Sequence, residues 1–428
     1  KGNDNRFPWG GGDLWGQLHP VWNYVAAWVR RGVFPLWSTR MMAGDPIIAE
    51  QQYGLLNPVN WPMFLFSPIP PWLISLRGAF SLWLAGAGMF LYLRHSPVWH
   101  MRKTAALVGA VAYMFSDPFI MHLGHPQFND TMAWLPWVLW GLDGVMRCAR
   151  AIPWAGLALG LLLLAGHGQA ALYAALLISA YAAAGAFKFW QNGWTSSRFA
   201  LTAVLLRVGR LALVAVVGAC LAAPAILPGL ARFPYTERAL ILEGSQRGYE
   251  FMPDMWIDFI TPHFHGRGVK GFWPMRERVE SGYVGVVALA LAGLGLLAEL
   301  CGRRHRVIRS SVAGPDNPNS SERTVNPRIA EDSKRSGVIL SVVEGSPRRA
   351  LFLLLIGLLA YLFALGYQGP LYPLVDRLPF FSVSWKTSRA IYLVSFVLAM
   401  GAGLGVENLV PGVKRHRWVV IVWSVAVG

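Results

Sequence analysis

The sequence has little charge and very little cysteine. Asp, Glu, Lys and Arg make up only 14% of its 428 residues, whereas about a quarter of a typical soluble domain is charged. Because 54% of the residues are hydrophobic, this shortage of charge excludes an ordinary soluble fold. The three cysteines, Cys148, Cys220 and Cys301, lie far apart in or beside apolar runs. We therefore interpret them as small core residues, not as a disulfide framework or a metal site.

Motifs that mark several enzyme classes are missing as well. The chain contains no Walker A sequence, no GxSxG elbow and no CxxC pair, so an ATP-driven pump or a soluble-type hydrolase has no support. A net charge of +16 could indicate nucleic-acid binding, but neither zinc-finger spacing nor an aromatic RNA-binding signature accompanies it. Much of the excess charge lies in short loops beside apolar runs. We therefore predict no nucleic-acid partner.

Long apolar runs are what the sequence has in abundance. They cover residues 73–93, 104–120, 129–146, 152–166, 169–187, 203–226, 283–301, 350–367, 389–409 and 417–428. A helix that crosses a lipid bilayer needs about 20 apolar residues, so the runs predict an all-α, polytopic transmembrane bundle. Residues 152–187 are predicted to form two helices that turn at Gly166-His167-Gly168, with one long tilted helix as the alternative.

The polar gaps between the runs differ in charge. Lys and Arg lie in or around alternate gaps, as Arg94, Arg102 and Lys103, then Arg147 and Arg150, then Lys188, Arg198, Arg207 and Arg210, then Arg303, Arg304, Arg306 and Arg309, and finally Lys414, Arg415 and Arg417. These gaps share one side if every helix spans, and the opposite gap 121–128 contains no Lys or Arg. Short basic loops stay in the cytoplasm. We therefore expect residues 1–70, 121–128, 167–168, 227–282 and 368–388 to face outward.

One segment differs in composition from the rest of the chain. Residues 302–349 are rich in Ser, Arg, Asn and Pro and have few apolar groups, which predicts a disordered cytoplasmic insert without a catalytic role. The predicted regions are therefore an outer region 1–70 with short amphipathic pieces such as Gln17–Arg31, a helical core 71–301 that includes the outer loop 227–282, the insert 302–349, and C-terminal helices in 350–428.

Both ends of the sequence suggest a longer protein. The chain starts at Lys1 without a methionine or a signal peptide, and it ends at Gly428 inside an apolar run. We expect one helix before Lys1 and further helices after Gly428.

An acidic residue flanked by aromatic and glycine residues opens the first outer region. Asp13 begins the sequence Asp-Leu-Trp-Gly-Gln-Leu-His-Pro. Desolvation near the membrane surface would make its carboxylate a stronger base. Asp is also a favoured N-cap, so Asp13 could simply cap a helix around Gln17–Arg31, and spacing alone favours the cap.

A dense polar cluster precedes the third apolar run. His122, His125, Gln127 and Asp130 fall within nine residues. Two histidines at this spacing could ligate a metal ion, but a proline follows and no HExxH motif is present. Hydrogen bonding to a sugar or a phosphate is the preferred interpretation, and the helix macrodipole is a sufficient reason for Asp130.

Two further polar groups lie at the edges of apolar runs. His167 and Gln169 line either a cavity or a tight turn at the interface, and the sequence favours neither. Lys386 and Arg389, with backbone N–H groups of a helix that Thr387 or Ser388 caps, predict an anion site. Interfacial snorkelling of the two cations is the alternative. Arg267, Arg276 and Arg278 are further anion-site candidates.

Several of these segments together resemble the YfhO-type bacterial membrane proteins, of the broad GT-C class of polytopic glycosyltransferases. The resemblance lies in DLWGQLHP, FPLWSTRMMAGDPIIAEQQYGLLNPVNWP, AYMFSDPFIMHLGHPQFNDTMAWLPWVLW, GYVG and LPFFSVSWKTSRA, and it covers most of the chain except the 302–349 insert. It implies transfer of a sugar from a polyprenyl-phosphate carrier to a cell-envelope polymer, lipid or protein. The site would face outward from the bacterial inner membrane.

The resemblance also implies roles for particular residues. Asp13 matches the acid of the family's first outer loop and would be the catalytic base, a pattern that Asp4 fits less well. Arg389 matches the family's C-terminal arginine, and with Lys386 it would bind the phosphate. Gln17, Glu50, Gln52, His125, Gln127, His167 and Gln169 would line the sugar and acceptor pocket. We predict no cofactor and no metal ligands, with dependence on a divalent metal left open.

Two other functions are compatible with the sequence. A transporter or flippase of a lipid-linked sugar or a small anion would predict inverted repeats and broken helices, and no matching pair of interrupted helices is evident. A non-catalytic envelope assembly factor would use the same outer regions for binding.

Overall fold

The computed structural model describes residues 13–41, 43–192, 197–236, 250–262, 264, 281–301, 347–376, 378 and 386–409, with backbone alone for 186–201 and 203. Within these residues the chain is helical, and its one β-bridge joins Ser38 to Asp45. The predicted all-α class is therefore confirmed. Most of the 302–349 insert, the run 417–428, Asp4, Arg267, Arg276 and Arg278 lie outside the described residues.

The helices follow the apolar runs of the sequence. They are α1 (His19–Val29), α2 (Pro71–His95), α3 (Lys103–Met114), α4 (Asp117–Met121), α5 (Pro126–Arg147), α6 (Ile152–Leu164), α7 (Gly168–Asn192), α8 (Ser197–Arg232), α9 (Val286–Leu300), α10 (Pro347–Ala364), α11 (Tyr372–Val375) and α12 (Ile391–Leu409). A π-helical turn, Leu14–Leu18, precedes α1. Short 3-10 helices lie at Ile47–Ala49, Gln51–Tyr53, Pro58–Leu65, Ala149–Ala151, Phe233–Tyr235, Pro253–Phe259, Gly366–Gln368 and Thr387–Ala390.

Several helices are suited to a bilayer by length and composition. In the part of the chain that the structure describes, six segments qualify as spans, namely Pro71–His95, Lys103–Met121, Gly168–Gly185, Val204–Tyr235, Pro347–Ala364 and Thr387–Leu409. Ala149–Leu164 and Val286–Leu300 are shorter apolar helices. The chain is therefore a multi-pass membrane protein. The separate α6 and α7 confirm the two-helix prediction for residues 152–187.

The cysteines do not occupy the core. Cys148, Cys220 and Cys301 are all free thiols on exposed positions, so the prediction of small core residues was wrong. Cys148 and Cys301 directly follow the ends of α5 and α9, and Cys220 lies inside α8. An exposed cysteine in an apolar span is compatible with a lipid-facing surface, because such a surface is as apolar as a protein interior.

Contacts between helix ends divide the bundle into two ends. At the basic end, Arg102 Nε contacts Glu407 Oε1 at 3.1 Å, which joins the start of α3 to the end of α12. Arg349 Nη2 contacts Glu299 Oε1 at 2.8 Å and joins α10 to α9. Arg349 Nη1 also donates to Val98 O at 3.1 Å, between α2 and α3.

The opposite, polar end collects the segments between the other helix ends. Phe251 N donates to Ala364 O at 2.8 Å, and Thr387 Oγ1 donates to the same oxygen at 3.2 Å. Asp117 N donates to Tyr283 O at 2.8 Å. The segments that make these contacts therefore lie at alternate ends of the bundle, as the loop charges predict. That the basic end is cytoplasmic stays a prediction.

The first outer region has a small core of its own. One face of the helical segment 14–29 is buried, through Leu18, Trp22 and Val25. Trp22 Nε1 donates to Tyr53 O at 2.8 Å, so the helix is tied to the later part of the same region. The burial at intervals of three and four residues is typical of an amphipathic helix, as the sequence predicted for Gln17–Arg31.

The turn between α6 and α7 is filled by the first outer region. Gly166 has φ +91°, and a Cβ there would collide with the carbonyl oxygen of Gln51. A Cβ on Gly229, near the end of α8, would lie 2.8 Å from the Gln51 side-chain Nε2. Glycine is required at the turn because a side chain would meet both a left-handed backbone and another chain segment.

We expect Gly166→Ala to destabilise the protein while Gly168→Ala does not. A left-handed alanine costs roughly 1–2 kcal/mol, to which the collision with Gln51 adds. Gly168 has no atom within 4 Å of an added Cβ, so its alanine variant should unfold like the parent protein. Titration with sodium dodecyl sulfate in mixed micelles would measure both free energies of unfolding. Equal unfolding of the two variants would contradict the close approach at Gly166.

Candidate functional site

The Asp13 carboxylate contacts a histidine from another helix. Asp13 Oδ2 lies 2.9 Å from His125 Nε2. The His125 side chain is 9% exposed and that of Asp13 is 55% exposed. Because a carboxylate can only accept, Nε2 carries the hydrogen and donates it. A solvent-facing acid is thus oriented by a buried imidazole at the start of α5.

The N-cap interpretation of Asp13 is not supported. Asp13 does precede the helical segment that begins at Leu14, but its backbone is already helical, with φ −67° and ψ −37°, and its side chain makes no capping hydrogen bond. Its carboxylate points to His125 instead. The side chain is therefore available for a role outside its own helix.

A buried arginine lies at the same end of the bundle. Arg389 is 8% exposed. Its Nη1 lies 3.1 Å from His167 Nε2 and 3.3 Å from Gln169 Oε1. The backbone N–H of Ala170 donates to His167 Nδ1 at 3.0 Å, which caps the start of α7. A neutral imidazole has one acceptor nitrogen, so when Nδ1 caps the helix, Gln169 is the acceptor for Arg389.

Lys386 is joined to the same group through its backbone. Gln169 Nε2 donates to Lys386 O at 2.8 Å and contacts the Tyr173 hydroxyl at 2.8 Å. Tyr173 OH donates to Lys386 O at 3.3 Å. The Lys386 residue is half-buried. Thr387 was predicted as a possible cap, but its hydroxyl donates to Ala364 O and makes no cap.

Aromatic rings connect the acid and the arginine. His122 stacks on Phe128 with ring centroids 4.0 Å apart and lies 5.5 Å from the His125 ring. Phe128 also meets His167 at 5.2 Å in a T-shaped arrangement. Phe128 therefore contacts both His122 and His167, and His125 joins this group through the His122 ring. The site, as we use the word below, comprises Asp13, His125, His167, Gln169, Lys386 and Arg389.

The other pocket residues predicted in the first outer region contact side chains outside the site. Gln17 is exposed, and its side chain hydrogen-bonds the Tyr53 hydroxyl. Burial raises the pKa of Tyr53, and the Gln17 bond offsets part of that rise. Glu50 Oε2 forms an ion pair with Arg232 Nη1 at 2.7 Å, and Glu50 Oε1 accepts from Gln52 N at 3.4 Å. Among described contacts, none brings these residues to Asp13.

Gln127 follows His125 on α5 and is buried. It is 5% exposed, and its Oε1 has no hydrogen-bond partner among the described residues. A buried amide oxygen without a partner is costly. A hydroxyl group of a bound ligand would supply the missing donor to this oxygen. Its role as a pocket residue stays a prediction.

A buried charge network that was not predicted from the sequence lies next to the site on α5. Asp130 on α5 pairs with Arg77 on α2, and Ser81 Oγ donates to Asp130 Oδ1 at 2.5 Å. Asn57 of the first outer region donates to Asp130 Oδ2 at 2.6 Å, and Arg77 Nε donates to Asn60 Oδ1 at 3.0 Å. Asp130 thus owes its place to this pair and not to the helix macrodipole. An arginine inside one apolar run and an acid in another were the available signal.

A second missed cation is Arg232 at the end of α8. It holds Glu50 and, through Nη2 at 2.8 Å, Asp45 Oδ1. The two pairs fasten the first outer region to the end of α8.

Within the described residues, no group of three or more His, Cys, Asp or Glu side chains is placed to hold a metal ion. His122 Nδ1 donates to Pro118 O at 2.8 Å.

Comparison with known protein families identifies the family of the chain. A family described as bacterial membrane protein YfhO matches residues 3–306, which is well over half of the sequence. The chain belongs to the YfhO family. The region that matches the YfhO family contains Asp13, His125 and His167, whereas Lys386 and Arg389 lie beyond it. Searches of the curated proteins and of the solved structures found no match.

Proposed function

We propose that this YfhO family chain is a membrane glycosyltransferase. It would move a sugar from a polyprenyl-phosphate carrier to a cell-envelope polymer, lipid or protein, with the polar end on the extracytoplasmic side of the bacterial inner membrane. The observation that carries the proposal is the pairing at one end of the bundle. The Asp13 carboxylate accepts from His125, and the Arg389 guanidinium contacts His167 and Gln169. Ring contacts join the two groups, from His125 to His122, then to Phe128 and then to His167.

Asp13 is the proposed base. The acceptor hydroxyl attacks the anomeric carbon, its proton passes to the Asp13 carboxylate, and the new glycosidic bond forms. The bond between the anomeric carbon and the phosphate oxygen breaks, and its electron pair leaves with the polyprenyl phosphate. His125 orients the carboxylate through its N–H, so the base does not have to be positioned again for each turnover.

The proposed phosphate site uses the two cations of the C-terminal segment. As the bond breaks, negative charge grows on the leaving phosphate, and preoriented cations stabilise it. Gln169 contacts Arg389 and the backbone of Lys386, and these two hydrogen bonds fix the positions of both residues relative to each other. His125, Gln127, His167 and Gln169 are the proposed contacts of the sugar, together with Gln17, Glu50 and Gln52 on the first outer region. The lipid tail would lie between helices.

A transfer assay separates this proposal from its alternatives. Purified protein in nanodiscs would receive a labelled polyprenyl-phosphate sugar and candidate envelope acceptors. Label on an acceptor is the expected result. In proteoliposomes, label that crosses the bilayer without transfer would instead make the protein a flippase. Binding of an acceptor with neither transfer nor crossing would make it an assembly factor and overturn the enzyme.

A further inference from the structure

A groove lies on the outside of the bundle, at the basic end. Ile152 at the start of α6 lines it together with residues of α8 between Thr202 and Leu213. Its volume is about 410 Å³. Leu205 and Leu206 are 60% and 58% exposed, so this wall faces the lipid and not the interior of the bundle. The groove is far from the site by topology, since α8 reaches the polar end only at Arg232.

Among the described residues that line the groove, Arg210 is the charged one. Arg210 Nη1 donates to Val145 O, near the end of α5, at 3.4 Å. Within the described residues, no carboxylate forms an ion pair with Arg210. Arg207 lies one turn earlier on α8, close enough for the two positive charges to repel each other. Two neighbouring arginines beside an apolar wall favour an anion with an apolar tail.

Arg210 lies inside the apolar span of α8 and not at its end. The apolar span of α8 begins at Val204, and six residues at 1.5 Å each put Arg210 about 9 Å along it. A charged side chain inside an apolar span is expensive unless it finds a counter-charge or reaches the interface. A lipid phosphate that sits at the mouth of the groove would supply that counter-charge without burying an acid in the protein.

We propose that this groove binds an anionic phospholipid of the bilayer. An acyl chain lies along the groove on Leu205, Leu206 and Leu213, and the phosphate contacts Arg210 with Arg207 nearby. Basic pockets between membrane helices select such headgroups. Because the groove is at the basic end, this site is separate from the proposed carrier-phosphate cations Lys386 and Arg389 and does not depend on the glycosyltransferase proposal.

The test is lipid retention measured by native mass spectrometry. The protein would be equilibrated in micelles with equal amounts of phosphatidylglycerol and phosphatidylethanolamine. The parent should retain phosphatidylglycerol in preference, and Arg210→Gln should lower that preference about fivefold, the effect of losing one cation near the headgroup. Gly209→Leu should also lower retention of phosphatidylglycerol. A Cβ on Gly209 meets open space, so leucine fills the groove without a collision.

Arg94→Gln is the matched control. Arg94 is a half-buried arginine at the same end, and its Nη1 donates to Met101 O at 3.3 Å, a contact of the same kind as that of Arg210. It does not line the groove. If Arg94→Gln and Arg210→Gln lower the preference for phosphatidylglycerol equally, the effect depends only on the net charge of the protein, and the proposed site is overturned. No preference in the parent, or displacement of the lipid by millimolar inorganic phosphate, would overturn it as well.

Discussion

Replacement of Asp13 by asparagine should remove nearly all sugar transfer while the protein stays inserted and folded. Asparagine keeps the shape of the side chain and its contact with His125, but it cannot take the proton of the acceptor hydroxyl. A positioned general base contributes about 10²–10⁴ in rate, so the transfer rate in nanodiscs should fall by that factor. Asp13 is 55% exposed, so the cost in stability should be small.

Asp254→Asn is the control for this prediction. Asp254 is an exposed acid in the 3-10 helix Pro253–Phe259 at the same end of the bundle, and its amide variant should keep parental transfer. His125→Asn should lower the rate less than Asp13→Asn, because the base remains and only its orientation is lost. Parental activity in Asp13→Asn would remove the base and, with it, the proposed mechanism.

Replacement of Arg77 by methionine should have the largest effect on stability. Arg77 is 5% exposed and Asp130 is 0% exposed, so the variant leaves a carboxylate buried without its counter-charge. Removing one partner of a buried pair costs about 3–5 kcal/mol. Sodium dodecyl sulfate titration in mixed micelles should show a loss of that size in the free energy of unfolding.

Two further variants test whether the loss comes from the buried charge. In the double variant Arg77→Met with Asp130→Asn, no buried charge remains, so a large part of the lost free energy should return. Arg102→Met breaks an ion pair whose side chains are 43% and 30% exposed, and exposed pairs contribute about 0–1 kcal/mol. If Arg77→Met costs no more than Arg102→Met, the buried network does not support the fold.

The helices could be predicted because the bilayer acts on each of them alone. A span must be long and apolar whatever its neighbours are, so the runs at 73–93, 203–226 and 350–367 correspond to α2, α8 and α10. The turn at Gly166 was also local information, since glycine between two apolar runs marks a break. That Gln51 fills this turn could not be predicted, because it depends on distant parts of the chain.

The composition of the site was easier to predict than its pairings. Asp13 stood out as an acid between aromatic and glycine residues, and His125, His167 and Arg389 stood out as polar groups at the edges of apolar runs. Which histidine meets which charge is decided by helix order and tilt, and the partners are 112 and 222 positions apart in the sequence. The resemblance implied a pocket role for Glu50 as well, yet Glu50 pairs with Arg232, a cation that the sequence had not marked as its partner.

The long sequence separation between those partners has a consequence for biosynthesis. The ribosome releases Asp13 and His125 early, and their contact can form once α5 has been inserted. His167 emerges soon after, but Arg389 and Lys386 leave the ribosome only after the insert 302–349 and α10 have been made. A nascent chain would thus carry an oriented acid before the two cations of the proposed site have been made. The proposed site becomes complete only when the segment before α12 and α12 itself have packed, so truncated chains that end before residue 386 should show no sugar transfer.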